Sequence, residues 1–222
     1  LILSMELASR GIRCLLVNER ETTSTHPKGS SLNSRTMETV RRLGFAPALR
    51  KTGVPPDHPT DVIYVTRFSG HELARIKMPT GREKTENPGP WGPTLLTPEP
   101  MHRSNQFYFE AVFKTHAETF AAADLRFGWR LVSFTQHANH VEAEIEDVKT
   151  GAREQVIADY MVGCDGGQSM VRRQLGFNYQ GRSSSGENFY DGDMISGFMR
   201  APQVYDILGM DVGWHYLTIN ND

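Results

Sequence analysis

Long apolar runs are missing from this 222-residue chain. No stretch of about 18 uninterrupted hydrophobic residues occurs, which excludes a helical membrane span. Leu1 to Gly11 is not expected to be a secretory h-region either, because Glu6 interrupts the apolar stretch and no basic start or small-residue cleavage site accompanies it. Charge of one sign is also lacking: 24 Lys and Arg against 26 Asp and Glu leave a net charge of −2. That balance gives no electrostatic case for nucleic acid or an acidic membrane surface. Cysteine is scarce. Cys14 and Cys164 are the only two, both inside strand-like apolar segments. They are expected as buried thiols of a cytoplasmic protein and form no disulfide framework. No Cys/His cluster shows metal-ligand spacing, so no metal is expected. A methionine at position 1 is absent as well: Leu1-Ile2-Leu3-Ser4 opens in the middle of an amphipathic helical pattern. The far end, Thr218 to Asp222, stops just after a strand-like run. Both ends read as truncations of a longer protein.

What is present alternates between helix and strand periods. A helix from about Leu1 to Arg10 closes on Gly11, and Ile12 to Val17 reads as a buried strand with Glu19 and Arg20 at its end. Helix, glycine, strand and acid form the second half of a βαβ unit, where a carboxylate accepts hydrogen bonds from adenosine ribose hydroxyls. The bland alternative is that Glu19 simply begins a surface loop. After a polar loop, Asn33-Ser34-Arg35 starts a helix that ends at Leu43-Gly44. Proline-rich stretches at 52–62 and 79–100 bracket two strands, Val62 to Val65 and Glu72 to Ile76, joined by Ser69-Gly70.

A helix from Ser104 carries Phe109, Val112, Phe113 and Phe120 along one core-facing stripe. Three strand-like runs follow (125–135, 141–146 and 155–162), with turns at Asn139-His140 and Lys149-Thr150-Gly151, and they read as a meander. The polar stretch Gly181 to Gly186 then leads to a strand candidate at Met194 to Arg200. Trp214, His215 and Tyr216 have the alternation of half-buried packing on a strand and the composition of a ring-binding pocket; neither makes them catalytic.

The most informative segment starts from Tyr160-Met161-Val162, read as an apolar strand. It passes through Gly163-Cys164-Asp165-Gly166-Gly167 to Ser169, Val171 and Arg172, and a short basic helix stops at Gly176. Glycine lets the backbone approach a ligand, and a new helix offers unpaired N–H groups to an anion. Capping of that helix by Asp165 and pairing with Arg172 is a structural alternative compatible with ligand contact.

Asp165-Gly166-x-x-Ser169-x-Val171-Arg172 resembles the Asp-Gly fingerprint of the class A FAD-dependent aromatic hydroxylases, in the phenol-hydroxylase-like and polyketide-hydroxylase-like branch. His26-Pro27-Lys28 before Asn33-x-Arg35-Thr36-Met37-Glu38 resembles that family's second segment, with Lys28 in place of the usual Arg. A lysine neutralises phosphate as a point charge, without the bidentate fork. Gln106 matches the family's flavin-facing Gln.

The resemblance implies an α/β chain with a Rossmann-like FAD-binding fold of the glutathione-reductase type, a β-meander and the start of a mixed α+β substrate domain. The implied division is 1–50 and 101–180 for FAD binding, 51–100 for an insert on the substrate side, and 181–222 for the opening of the substrate domain. It implies FAD held by Glu19, Arg20, Lys28, Gln106, Asp165, Gly166 and Arg172, with NADPH or NADH as electron donor. The implied reaction uses O2 to hydroxylate a phenolic or other aromatic ring through a C4a-hydroperoxyflavin. Its partners are then that small aromatic substrate and a second copy in a homodimer. Catalytic side chains are not assigned, because the redox chemistry belongs to the flavin. A halogenase or reductase of the same fold, and a non-catalytic flavin-fold binding module, stay open as alternatives.

Overall fold

The computed structural model describes residues 1–26, 28–94, 96–180 and 197–219. In chain order the elements are α1 (Ile2–Ala8), β1 (Cys14–Asn18), β2 (Ser31–Leu32), α2 (Ser34–Arg42), α3 (Ala46–Arg50), β3 (Val62–Val65), β4 (Glu72–Ile76) and α4 (Gly81–Glu86). They continue with β5 (His102–Arg103), α5 (Gln106–Ala117), β6 (Ala123–Phe127), β7 (Trp129–Gln136), β8 (Val141–Asp147), β9 (Arg153–Ala158), α6 (Met170–Gln174), α7 (Val204–Ile207) and β10 (His215–Thr218). The result is a mixed α/β chain in two compact units. One comprises residues 1–16, 22–125 and 199–222, and the other 17–21 and 126–198.

In the first unit, helices build the core. Met37 and Val40 of α2, Ala46 and Leu49 of α3, Phe113 and Ala117 of α5 and Met5 of α1 are buried together with Leu32, Leu43 and Phe45. Phe109 and Val112 pack against this cluster, so the stripe on α5 faces inward as its spacing predicts, while Phe120, expected on the same helix, packs there from beyond its end at Ala117. Asn33 caps α2: its side chain accepts the Thr36 N–H. Glu6 ties α1 to α2 through a bidentate pair with Arg42, and Arg42 and then Arg10 hold its carboxyl down at about 2. The hairpin at Ser69-Gly70 also forms, with β3 and β4 antiparallel. β10 adds to it in parallel, with His215 opposite Val62 and Thr218 opposite Val65, and Ile63 and Val65 become fully buried. The late segment therefore joins the sheet begun inside the proline-rich stretch.

In the second unit, β7, β8 and β9 form the antiparallel meander. The single run expected over 125–135 is two strands, because Gly128 takes a positive φ of 80° between β6 and β7. Short α6 leans on the meander through the Gln174 amide, which donates to the Phe134 carbonyl at 2.6 Å.

Several expectations need correction. β1 spans Cys14–Asn18 rather than Ile12 to Val17, and its apolar residues are half-buried rather than buried. Tyr160, Met161 and Val162 are not a strand: β9 ends at Ala158, and Tyr160 and Val162 are 89% and 63% exposed. No strand among the described residues pairs with this run, and without a ladder an apolar stretch gains nothing from extended geometry. Cys164, at the end of that stretch, is accordingly exposed. The strand candidate Met194 to Arg200 falls partly outside the described residues, and 197–200 have no regular structure.

Candidate functional site

Glu19, Arg20 and the Asp165 turn belong to the second unit. At the end of β1 the Asn18 side-chain oxygen accepts the Arg20 N–H at 2.9 Å, and the Arg20 carbonyl accepts the Gly128 N–H at 2.8 Å. These two bonds fix the backbone of Arg20, next to Glu19, whose side chain stands exposed just past the strand.

The Asp165 turn is tightly wired. One carboxylate oxygen accepts the Ser169 hydroxyl at 2.5 Å, and the other accepts the N–H groups of Met170 at 2.6 Å and Val171 at 3.2 Å. The Ser169 hydroxyl oxygen accepts the Arg172 N–H at 2.9 Å. Desolvation works to raise the Asp165 pKa, but the Ser169 hydroxyl and the backbone donors outweigh it, so the carboxyl titrates below its ordinary value. The expected anion site at the helix start is thereby corrected. The N–H groups of 170–172 are already taken by Asp165 and Ser169.

What the turn does offer is open backbone. Gly166 has φ 76°, and a Cβ added at Gly166 or Gly167 would meet no heavy atom within 4 Å. Arg172 lies across the end of α6, donating to the Phe177 carbonyl at 2.6 Å with its guanidinium 4.3 Å from the Tyr179 ring centroid. Its Nε is buried without a hydrogen-bond partner. The turn thus presents bare glycine backbone, and the helix after it a guanidinium N–H without a partner.

Lys28 and Gln106 lie in the first unit, and the structure joins them directly. The Gln106 side-chain oxygen accepts the Lys28 N–H at 2.8 Å, and the Gln106 N–H returns a bond to the Gly29 carbonyl at 3.0 Å. The Gln106 amide nitrogen donates to Glu110, whose other carboxylate oxygen accepts the Ser24 N–H at 2.9 Å. Gln106 and Glu110 thus clamp the 24–29 loop from one face of α5. The sequence reading passed over Glu110. Its signal was the four-residue spacing from Gln106, which places both on one helical face.

Trp214 and Tyr216 line a cavity of about 270 Å³ with His58, Phe68, Tyr205 and Leu208, all within the first unit. Trp214 and Tyr216 are half-buried on and beside β10 and wall this cavity, whereas His215 between them is exposed and does not line it.

A family model described as FAD binding domain matches residues 1–221. The aklavinone 12-hydroxylase of Streptomyces peucetius subsp. caesius is 32% identical over 220 residues, covering 95% of this chain and 41% of that protein. The 2,4-dichlorophenol 6-monooxygenase of Delftia acidovorans is 30% identical over 180 residues, 79% of this chain and 29% of that protein. Among solved structures, the rebeccamycin biosynthetic enzyme RebC with reduced flavin superposes with a TM-score of 0.70 at 36% identity, covering 79% of this chain and 32% of that one. The chain spans about a third of the length of the curated relatives it matches.

Proposed function

The chain belongs to the FAD binding domain family, within the FAD-dependent aromatic hydroxylases, and from that premise we propose that the protein carrying it is a monooxygenase. It uses NADH or NADPH and O2 to hydroxylate a phenolic or other aromatic ring. The observation that carries this reading is the capped turn from Asp165 to Arg172, with its open glycine backbone, inside a match that runs over residues 1–221. The relatives are named as hydroxylases and monooxygenases, which favours ring hydroxylation over halogenation or reduction on the same fold.

FAD supplies the redox and oxygen chemistry when bound. The residues of the chain bind and orient it. Glu19 accepts the adenosine ribose hydroxyls, and Gly166 lets the backbone approach the diphosphate. Arg20 sets positive charge toward that diphosphate, and in the first unit the clamp of Gln106 and Glu110 holds the Lys28 loop in place. Asp165 keeps the turn closed and Arg172 braces it. In this reading the fold is Rossmann-like, of the glutathione-reductase type. Residues 1–50 and 101–180 serve FAD, and the aromatic cavity at Trp214 and Tyr216 belongs to the substrate side with 51–100 and 181–222. The protein works as a cytoplasmic homodimer.

The test is to express the whole protein and follow NAD(P)H oxidation with and without a panel of phenols, quantifying hydroxylated product beside peroxide. Bound flavin and substrate-stimulated oxidation coupled to product support the reading. A protein that retains no FAD, or whose oxidation no phenol stimulates, refutes it.

A further inference from the structure

The tip of the β7–β8 hairpin lies outside the flavin-related residues and brings together three metal-competent side chains. Ala138 and Asn139 form a two-residue loop, closed by the His137 N–H donating to the His140 carbonyl at 2.9 Å. The pairing of Gln136 with Val141 fixes the register beneath it. On this base the His137 Nε2 lies 3.5 Å from one Glu142 carboxylate oxygen, and the His140 Nε2 lies 3.3 Å from the other. One ligand atom from each of the three residues falls within 4.8 Å of the others.

These spacings have a chemical meaning. A tetrahedral ion with bonds of about 2.0–2.2 Å to nitrogen and oxygen has ligand–ligand edges of about 3.3–3.6 Å. The His140 Nε2–Glu142 oxygen separation already has that length, while His137 faces the other carboxylate oxygen, so rotation of its surface imidazole or of the carboxylate brings the third ligand onto the same ion. The rings stack at 4.4 Å between centroids, so both are already held on the same side of the hairpin. His140 Nδ1 lies 2.8 Å from the Asn139 side-chain oxygen. With Nδ1 donating there, Nε2 keeps its lone pair for a metal, which is the usual outer-sphere arrangement of a ligating histidine.

We propose that His137, His140 and Glu142 form a surface binding site for a divalent transition-metal ion of zinc-like preference, with water completing the fourth position. Two imidazoles and one carboxylate suit zinc or its neighbours; calcium and magnesium demand more oxygen ligands. The proposal departs from the expectation from sequence that no metal is bound. That expectation looked for Cys/His clusters and gave no weight to His-x-x-His-x-Glu folded back across a tight turn.

Isothermal titration of the metal-free full chain with Zn²⁺, and with Co²⁺ as a spectroscopic probe, tests the proposal. The expected result is a saturable Zn²⁺ event that weakens at least about tenfold in His140→Ala and in Glu142→Gln. Tetrahedral Co²⁺ absorption should appear in the parent and vanish in both variants. The residues are at the surface, and equal melting temperatures of the metal-free proteins verify that the variants fold. No saturable event in the parent, or binding weakened by less than that in either variant, overturns the proposal.

Discussion

Gly53 sits at a point where backbone meets backbone. Its φ is 88°, and an added Cβ would come 2.8 Å from the Ser104 Cα and press on the Arg103 carbonyl oxygen. Neither neighbour is a flexible side-chain end, so Gly53→Ala combines left-handed strain with overpacking and should cost about 3 kcal/mol. Urea unfolding of the two proteins measures it; a loss below about 1 kcal/mol would show that the backbone there yields readily. Beside it, His102 is held to the Thr52 carbonyl at 2.9 Å, and burial, then the charge of Arg50, push its pKa down. His215 shifts the same way, through burial and Arg103. Both are harder to protonate when folded, whereas the unfolded chain takes up protons from about pH 6.5 downward. Their contribution is full above that pH and is lost as the pH falls through the folded values. The unfolding midpoint should therefore drop between neutral pH and pH 5, and less steeply in His102→Gln. An identical slope in that variant would remove His102 from the account. At this scale the sequence was readable where a residue acts on near neighbours: Asp165 and Ser169 are four positions apart, and their cap could be anticipated. It was unreadable at Gly53, whose neighbours lie about fifty residues away.

Elements follow the same division. The helices from Asn33 and from Ser104, the hairpin at Ser69-Gly70 and the meander were all legible, because caps, turns and periodicity are local signals. Helix α4 was hidden by the prolines around it, although Thr80 and Glu83 spell a complete capping box. The run Tyr160 to Val162 misled for another reason. An apolar tripeptide cannot say whether a strand exists to pair with it. The clamp on the 24–29 loop was half legible. Gln106 was singled out, but Glu110 holds Ser24 across 86 positions of sequence. Glu110→Ala leaves the Ser24 N–H and the Gln106 amide without their acceptor, which should cost about 1–3 kcal/mol. If the loop carries Lys28 to the diphosphate, the same change should raise the FAD dissociation constant while Glu110→Asp partly restores it. Full FAD affinity in Glu110→Ala would leave the clamp a purely structural feature.

Over the whole molecule, order along the chain carried more information than any single motif. The end of β1, the Lys28 loop, the Gln106 helix, the meander and the Asp165 turn follow one another as in the FAD-dependent aromatic hydroxylases, and the family match extends over residues 1–221. What order could not supply was the state of each group in three dimensions. The N–H groups at the start of α6, expected to be open to a phosphate, are consumed by Asp165 and Ser169. In the proposed function the approach to the phosphates therefore rests on the bare backbone at Gly166 and Gly167. The most direct measurement is a crystal structure of the whole protein with FAD bound. The account predicts the adenosine ribose hydroxyls within about 3 Å of the Glu19 carboxylate and the diphosphate against Gly166. A dinucleotide seated elsewhere, with Glu19 in bulk water and the glycine turn uncovered, would contradict it.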